Sequence, residues 1–163
     1  MHAADEGANP LPYARPARRT LVTRLVAVGV LLGSLALLGI AWALPPDPRG
    51  FGTHQRLGSG PCGLLVVTGQ PCPTCGMTTA FAHFVRGQWG RALWVQPAGF
   101  VLALATAAAV PVAGWALVRG RWPRPINRTI EPTWVFFALL AVILAGWVFK
   151  MLAGRSDGTL PYR

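Results

Sequence analysis

The sequence predicts an all-α integral membrane protein with about three transmembrane helices and one short interfacial or re-entrant helix. Three observations carry this. Hydrophobic residues make up 53% of the chain and charged residues only 12%, well away from the balance of a soluble domain. The windows 25–46, 97–118 and 133–149 contain no charged residue, and each reaches the roughly 17 to 25 residues needed to cross a hydrocarbon core as a helix. The positive charge is concentrated next to these windows rather than along a stripe.

The 163 residues leave room for about one domain. Residues 1–20 read as a disordered, basic cytoplasmic tail, because the first sixteen mix Gly, Ala and three prolines with no apolar period. Residues 21–163 read as a single membrane domain, with spans at about 22–44, 97–118 and 133–152 and a motif loop and helix at 60–88. The first span stops at Pro45-Pro46-Asp47-Pro48, where proline removes the backbone donors a helix needs. Ala41-Trp42-Ala43 has the spacing of a leader cleavage site, but the apolar window exceeds the 7 to 15 residues of a leader core, so a retained span is expected. Gly29, Gly33, Ala36 and Gly39 give that span a small-residue face suited to close packing, and Ala103, Ala107 and Ala108 do the same for the second.

The net charge of +10 would suit a nucleic-acid partner if it formed a basic surface with interleaved aromatics. It does not. Arg15, Arg18, Arg19 and Arg24 precede the first span, and Arg119, Arg121, Arg124 and Arg128 fill the connection between the second and third. That placement follows the positive-inside rule and, against the sparser Arg49, Arg56, Arg86 and Arg91 of the segment between the first two spans, puts the N-terminus in the cytoplasm and residues 45–96 outside. The partners implied are the lipid bilayer of the cell membrane and another membrane protein, with no nucleic acid. Trp42, Trp89, Trp94, Trp115, Trp122 and Trp134 fall at span ends or in connections, as interfacial indoles do.

The chemically informative stretch is Cys72-Pro73-Thr74-Cys75-Gly76-Met77-Thr78-Thr79. Pro73 suits a first helical position, and Met77, Ala80, Phe81, Phe84 and Val85 recur at three- and four-residue steps. A helix of about fourteen residues is therefore expected from Pro73, with Cys72 at its N-cap. There the helix dipole would favour a thiolate. Three uses of the cysteines stay open. Cys72 and Cys75 can close a disulfide that staples the loop; they can exchange disulfides, with Cys72 attacking and Cys75 resolving; or Cys62, Cys72 and Cys75, with His54 as a fourth group, can bind zinc. No cofactor is otherwise predicted. His83 stands about two helical turns from Cys75, too far to share a metal, and reads as a satisfied interface histidine.

Thr74, Thr78 and Thr79 place hydroxyls about the same turn, where back-bonding to helix carbonyls is expected. The carboxylates outside the tail, Asp47, Glu131 and Asp157, fall in three segments, so no acid–base pair is evident. The leading reading is a structural or partner-binding membrane module with a cysteine-stapled loop rather than an enzyme.

The same residues resemble a family of small bacterial membrane proteins of unknown function marked by a Cys-Pro-x-Cys-Gly-x-Thr-Arg signature. The likeness extends over about residues 60–118 and includes Cys62-Gly63 and Thr68-Gly69. It implies a multi-pass protein with the cysteine motif as its shared centre, and no specific activity. Thr79 stands where the signature has arginine, and Gln96 where the family has asparagine.

Overall fold

A computed structural model describes residues 17–123 and 132–156. Among these the chain is helical with no strand: α1 (Ala17–Ala43), a 3₁₀ turn (Thr53–Leu57), α2 (Gly63–Thr68), α3 (Met77–Val85), α4 (Trp89–Val95), α5 (Pro97–Arg119) and α6 (Pro132–Ser156). Three segments are long and apolar enough to cross a membrane: Thr20–Ala43, Pro97–Arg119 and Thr133–Gly154. Residues 1–16, which hold most of the expected tail, lie outside the described residues, as do Arg124, Arg128, Glu131 and Asp157.

The three long helices bury little of themselves against one another, and Leu, Val and Phe side chains cover their outer faces. In water such a surface would be untenable; in lipid it is the outer face of a spanning helix. The internal contacts use small residues. On α1 the buried positions are Ala27, Ser34 and Ala41, a seven-residue repeat; α1 packs chiefly against α5, whose buried residues include Ala103, Ala113 and Ala116. The expected glycine face of α1 is not used: nothing lies within 4 Å of a side chain placed at Gly29, Gly33 or Gly39. Alanine, which keeps helix propensity while allowing close approach, provides the contact instead.

The segment between α1 and α5 packs as a cap over one end of the helices. Arg86, just after α3, donates from Nη1 to the carbonyls of Ala41 (3.1 Å) and Ala82 (2.8 Å) and from Nη2 to that of Trp42. These acceptors include the last carbonyls of α1, which have no partner within the helix. Gly99 at the start of α5 lets α3 come close, since a Cβ there would lie 2.8 Å from that of Ala80. At the other end, a Cβ on Gly120 would lie 2.7 Å from Thr20, so the start of α1 and the end of α5 are neighbours.

Two local expectations are corrected. Leu64 to Val67, in the motif-loop part of 60–88 ahead of the helix expected from Pro73, form α2. The helix expected from Pro73 begins only at Met77, because Cys75 N–H bonds to the Cys72 carbonyl and Met77 N–H to that of Thr74, both three-residue turns, and Gly76 then adopts φ +88°. A left-handed residue cannot lie inside an α-helix.

Candidate functional site

The centre of the cap is the turn Pro71–Gly76, and its backbone explains its position. Three alternate carbonyls each accept a side-chain donor from a long helix or its edge. Pro71 accepts from Trp147 Nε1 (2.9 Å), Pro73 from Gln96 Nε2 (2.8 Å) and Cys75 from Lys150 Nζ (3.1 Å). Gln96 is fully buried at the entry to α5, and Trp147 and Lys150 stand three residues apart on one face of α6. Lys150 also donates to the Gly50 carbonyl (3.5 Å). Pro71 and Pro73 have no N–H, so the turn asks little of its surroundings beyond partners for its carbonyls.

Gly76 is fixed by both conformation and space. A Cβ at this position would lie 2.6 Å from Lys150 Nζ and 2.7 Å from the Gly50 carbonyl oxygen. Only glycine combines φ +88° with such close approach.

The turn brings Cys72 and Cys75 together, with their sulfurs 3.3 Å apart in hydrogen-bond contact. Cys62 arrives from the start of α2 in an extended conformation that leaves its side chain out of helix capping. The sulfurs of Cys62, Cys72 and Cys75 all lie within 4.8 Å of one another. Cys75 is buried, while Cys62 and Cys72 are partly open. All three are free thiols in this structure. His54, the expected fourth ligand, is not part of the cluster. His83 is buried and bonded through Nδ1 to Gln88 Oε1, in keeping with a satisfied interface histidine.

The two motif thiols have opposite acidities. Burial pushes the Cys72 thiol up, but hydrogen bonds from the Thr74 hydroxyl, the Cys75 and Cys62 thiols and the Thr74 N–H outweigh it and bring its pKa from 9.0 down to about 7. Burial pushes Cys75 up, and the adjoining Cys72 reinforces this, to about 12. Cys72 does not sit at a helix N-cap, so the helix dipole expected from the sequence has no part in this. Hydrogen bonds to its sulfur act instead.

The threonines behave differently from expectation. Thr74 bonds to Cys72 Sγ (3.3 Å). Thr79, at the position where the signature has arginine, is fully buried and shares a hydrogen bond with Thr53 Oγ1 (2.8 Å), which also accepts from Asp47 N–H (3.0 Å). Thr78 is exposed. Asp47 itself holds Arg49 through both carboxylate oxygens (3.0 and 2.8 Å), and this pairing lowers the Asp47 pKa below its ordinary value.

Lys150 and Trp147 were not recognisable as site residues from the sequence. The one available signal was that Lys150, the sole lysine, directly follows the last charge-free window. A charge at that depth marks a functional position by default.

Residues 62–110 match the model of a family described as protein of unknown function, DUF2752. The match takes in the three cysteines, the cap from Cys62 onward and the first half of α5, and leaves out α1, the 3₁₀ turn and α6, so this part of the chain is similar to that family. No curated protein and no solved structure matches the chain.

Proposed function

We propose that this is a multi-pass membrane module, with its cysteine cap on the extracytoplasmic side, that binds a thiophilic divalent metal ion, zinc foremost, through Cys62, Cys72 and Cys75. The observation that carries this is the convergence of three sulfurs within 4.8 Å. A loop staple or an exchange reaction between Cys72 and Cys75 needs two thiols, and leaves Cys62 at most a supporting hydrogen bond to Cys72. Three thiolates at the usual Zn–S length of about 2.3 Å around a tetrahedral ion would stand about 3.8 Å apart, so small side-chain adjustments suffice. Soft thiolate ligands select zinc and other thiophilic ions over magnesium or calcium. Three protein ligands leave the fourth position to a non-protein group.

The staple is not required to hold the loop, because Trp147, Gln96 and Lys150 already bind its carbonyls. The asymmetry of Cys72 and Cys75 favours a second reading, thiol–disulfide exchange. In it the Cys72 thiolate attacks a substrate disulfide, forms a mixed disulfide and releases one substrate thiolate. Cys75 then loses its proton and displaces the second substrate thiol, leaving a Cys72–Cys75 disulfide and a reduced substrate.

One experiment separates these. In protein purified without added metal, the metal reading expects about one zinc per chain, lost in Cys62→Ser, Cys72→Ser and Cys75→Ser. Metal-free protein with a rapidly alkylated Cys72 supports exchange, and a Cys72–Cys75 disulfide that mild reductant leaves intact supports the staple. Either result overturns the metal reading.

A further inference from the structure

Lys150 is buried, at 9% exposure, on α6 beneath the cysteine turn. Its ammonium binds two carbonyl oxygens, those of Cys75 and Gly50. Among the described residues no carboxylate pairs with it, and both oxygens of Asp47 are engaged by Arg49. The two carbonyl dipoles take two of its three protons but do not cancel its charge, and a buried charge without a counter-ion is strongly disfavoured. The groups at this place that can be negative are the cysteines. The Cys75 carbonyl that Lys150 binds belongs to one of them.

We propose that Lys150 is the built-in countercharge of the three-cysteine site and sets it for one net negative charge, that of three thiolates on a divalent ion with a neutral fourth ligand. This rests on the metal reading above and narrows it. Three thiolates on a divalent ion carry a single negative charge, which one ammonium balances. On a monovalent ion they would carry two, and one would stay unbalanced. An anionic fourth ligand on a divalent ion would leave the same excess. Lys150 thus acts as a positioning residue: it touches the Cys75 carbonyl rather than the ion, and it holds the turn while matching the charge of what the turn binds. Gly76 belongs to the same arrangement, because its missing side chain is what lets the ammonium approach.

The test uses the full chain in detergent micelles, stripped of metal and titrated with Zn²⁺ or with Co²⁺, whose thiolate charge-transfer absorption reports the ligand set. Lys150→Gln keeps a donor for the Cys75 carbonyl and removes the charge; Lys150→Arg keeps the charge. The expected result is a loss of about 10- to 100-fold in affinity for Lys150→Gln, the range for residues supporting metal ligands, with Lys150→Arg close to the parent. Trp147→Phe, which removes a neighbouring tie without changing charge, should weaken binding less than about threefold. Equal binding by Lys150→Gln and the parent would overturn the countercharge while leaving the metal site standing; a parent chain that binds neither ion overturns both. If Lys150→Gln does not fold, the Co²⁺-loaded parent still decides. Imidazole, which is neutral, should alter its spectrum, and azide at the same concentration should not. A response to azide equal to that of imidazole refutes the charge match.

Discussion

At the scale of single residues, the cap works by placing unlike thiols side by side. Cys72 has its pKa lowered to about 7 and Cys75 has it raised to about 12, so near neutral pH in metal-free protein one is substantially thiolate and the other is not. Alkylation by iodoacetamide after chelation should therefore modify Cys72 first. Its rate should rise with pH and reach half its maximum near pH 7, while Cys75 stays unmodified across the neutral range; mass mapping that finds Cys75 modified first, or a Cys72 midpoint near 9, contradicts this. Gly76→Ala should abolish the arrangement, since the left-handed backbone alone costs about 1 to 3 kcal/mol in a residue with a Cβ and the new methyl would meet Lys150 and Gly50. Zinc content lost in that variant, together with a lower thermal midpoint, is the expected outcome. The cysteines themselves were legible in the sequence because their spacing is chemical information. Lys150 was not, because its contact with Gly50 spans 100 positions and no local pattern encodes it.

At the scale of elements, short-range signals located the long helices and failed at the cap. Pro45-Pro46 marks the C-terminal end of α1 within two residues, because proline chemistry acts locally, while the helix begins at Ala17, eight residues before its charge-free window. The helix expected from Pro73 starts four residues late, because apolar periodicity does not register a glycine with positive φ. The cap is fastened to α1 through Arg86, whose guanidinium binds the carbonyls of Ala41 and Trp42 and lies 5.6 Å from the Trp42 ring centroid. Arg86→Ala should leave those terminal carbonyls unpartnered and cost about 2 kcal/mol, measured as a lower thermal midpoint in micelles and faster proteolysis between α1 and α2. Arg86→Lys should recover only part of this, because an ammonium lacks the planar fork that binds neighbouring carbonyls together. An Arg86→Ala chain as stable as the parent would show that α3 holds its place by packing alone.

At the scale of the whole molecule, the three cysteines gather at one end, and Arg24, Arg119 and Arg121 lie at the other. The cap joins the C-terminal ends of α1 and α6 to the N-terminal end of α5, as the bonds from Arg86, Gln96, Trp147 and Lys150 record. Arg24 and Gly120 are neighbours at the far end, where Arg119 ends α5 and Arg121 lies 5.9 Å from the Trp115 ring centroid. Arginines flanking spans through short connections are retained on the cytoplasmic side, so the arginine end should face the cytoplasm and the cap the outside. Two exposed positions report this directly: Ser59, in the cap, and Arg121, after α5. A membrane-impermeant maleimide added to intact cells should label Ser59→Cys above the level of the parent chain. It should label Arg121→Cys only after the membrane is opened. The reverse pattern would invert the orientation and place the cysteine cluster in a reducing compartment, where a disulfide staple is disfavoured and a metal site is not. Labelling of both positions from outside would mean that α5 does not cross the bilayer, and the three-span arrangement would fall with it.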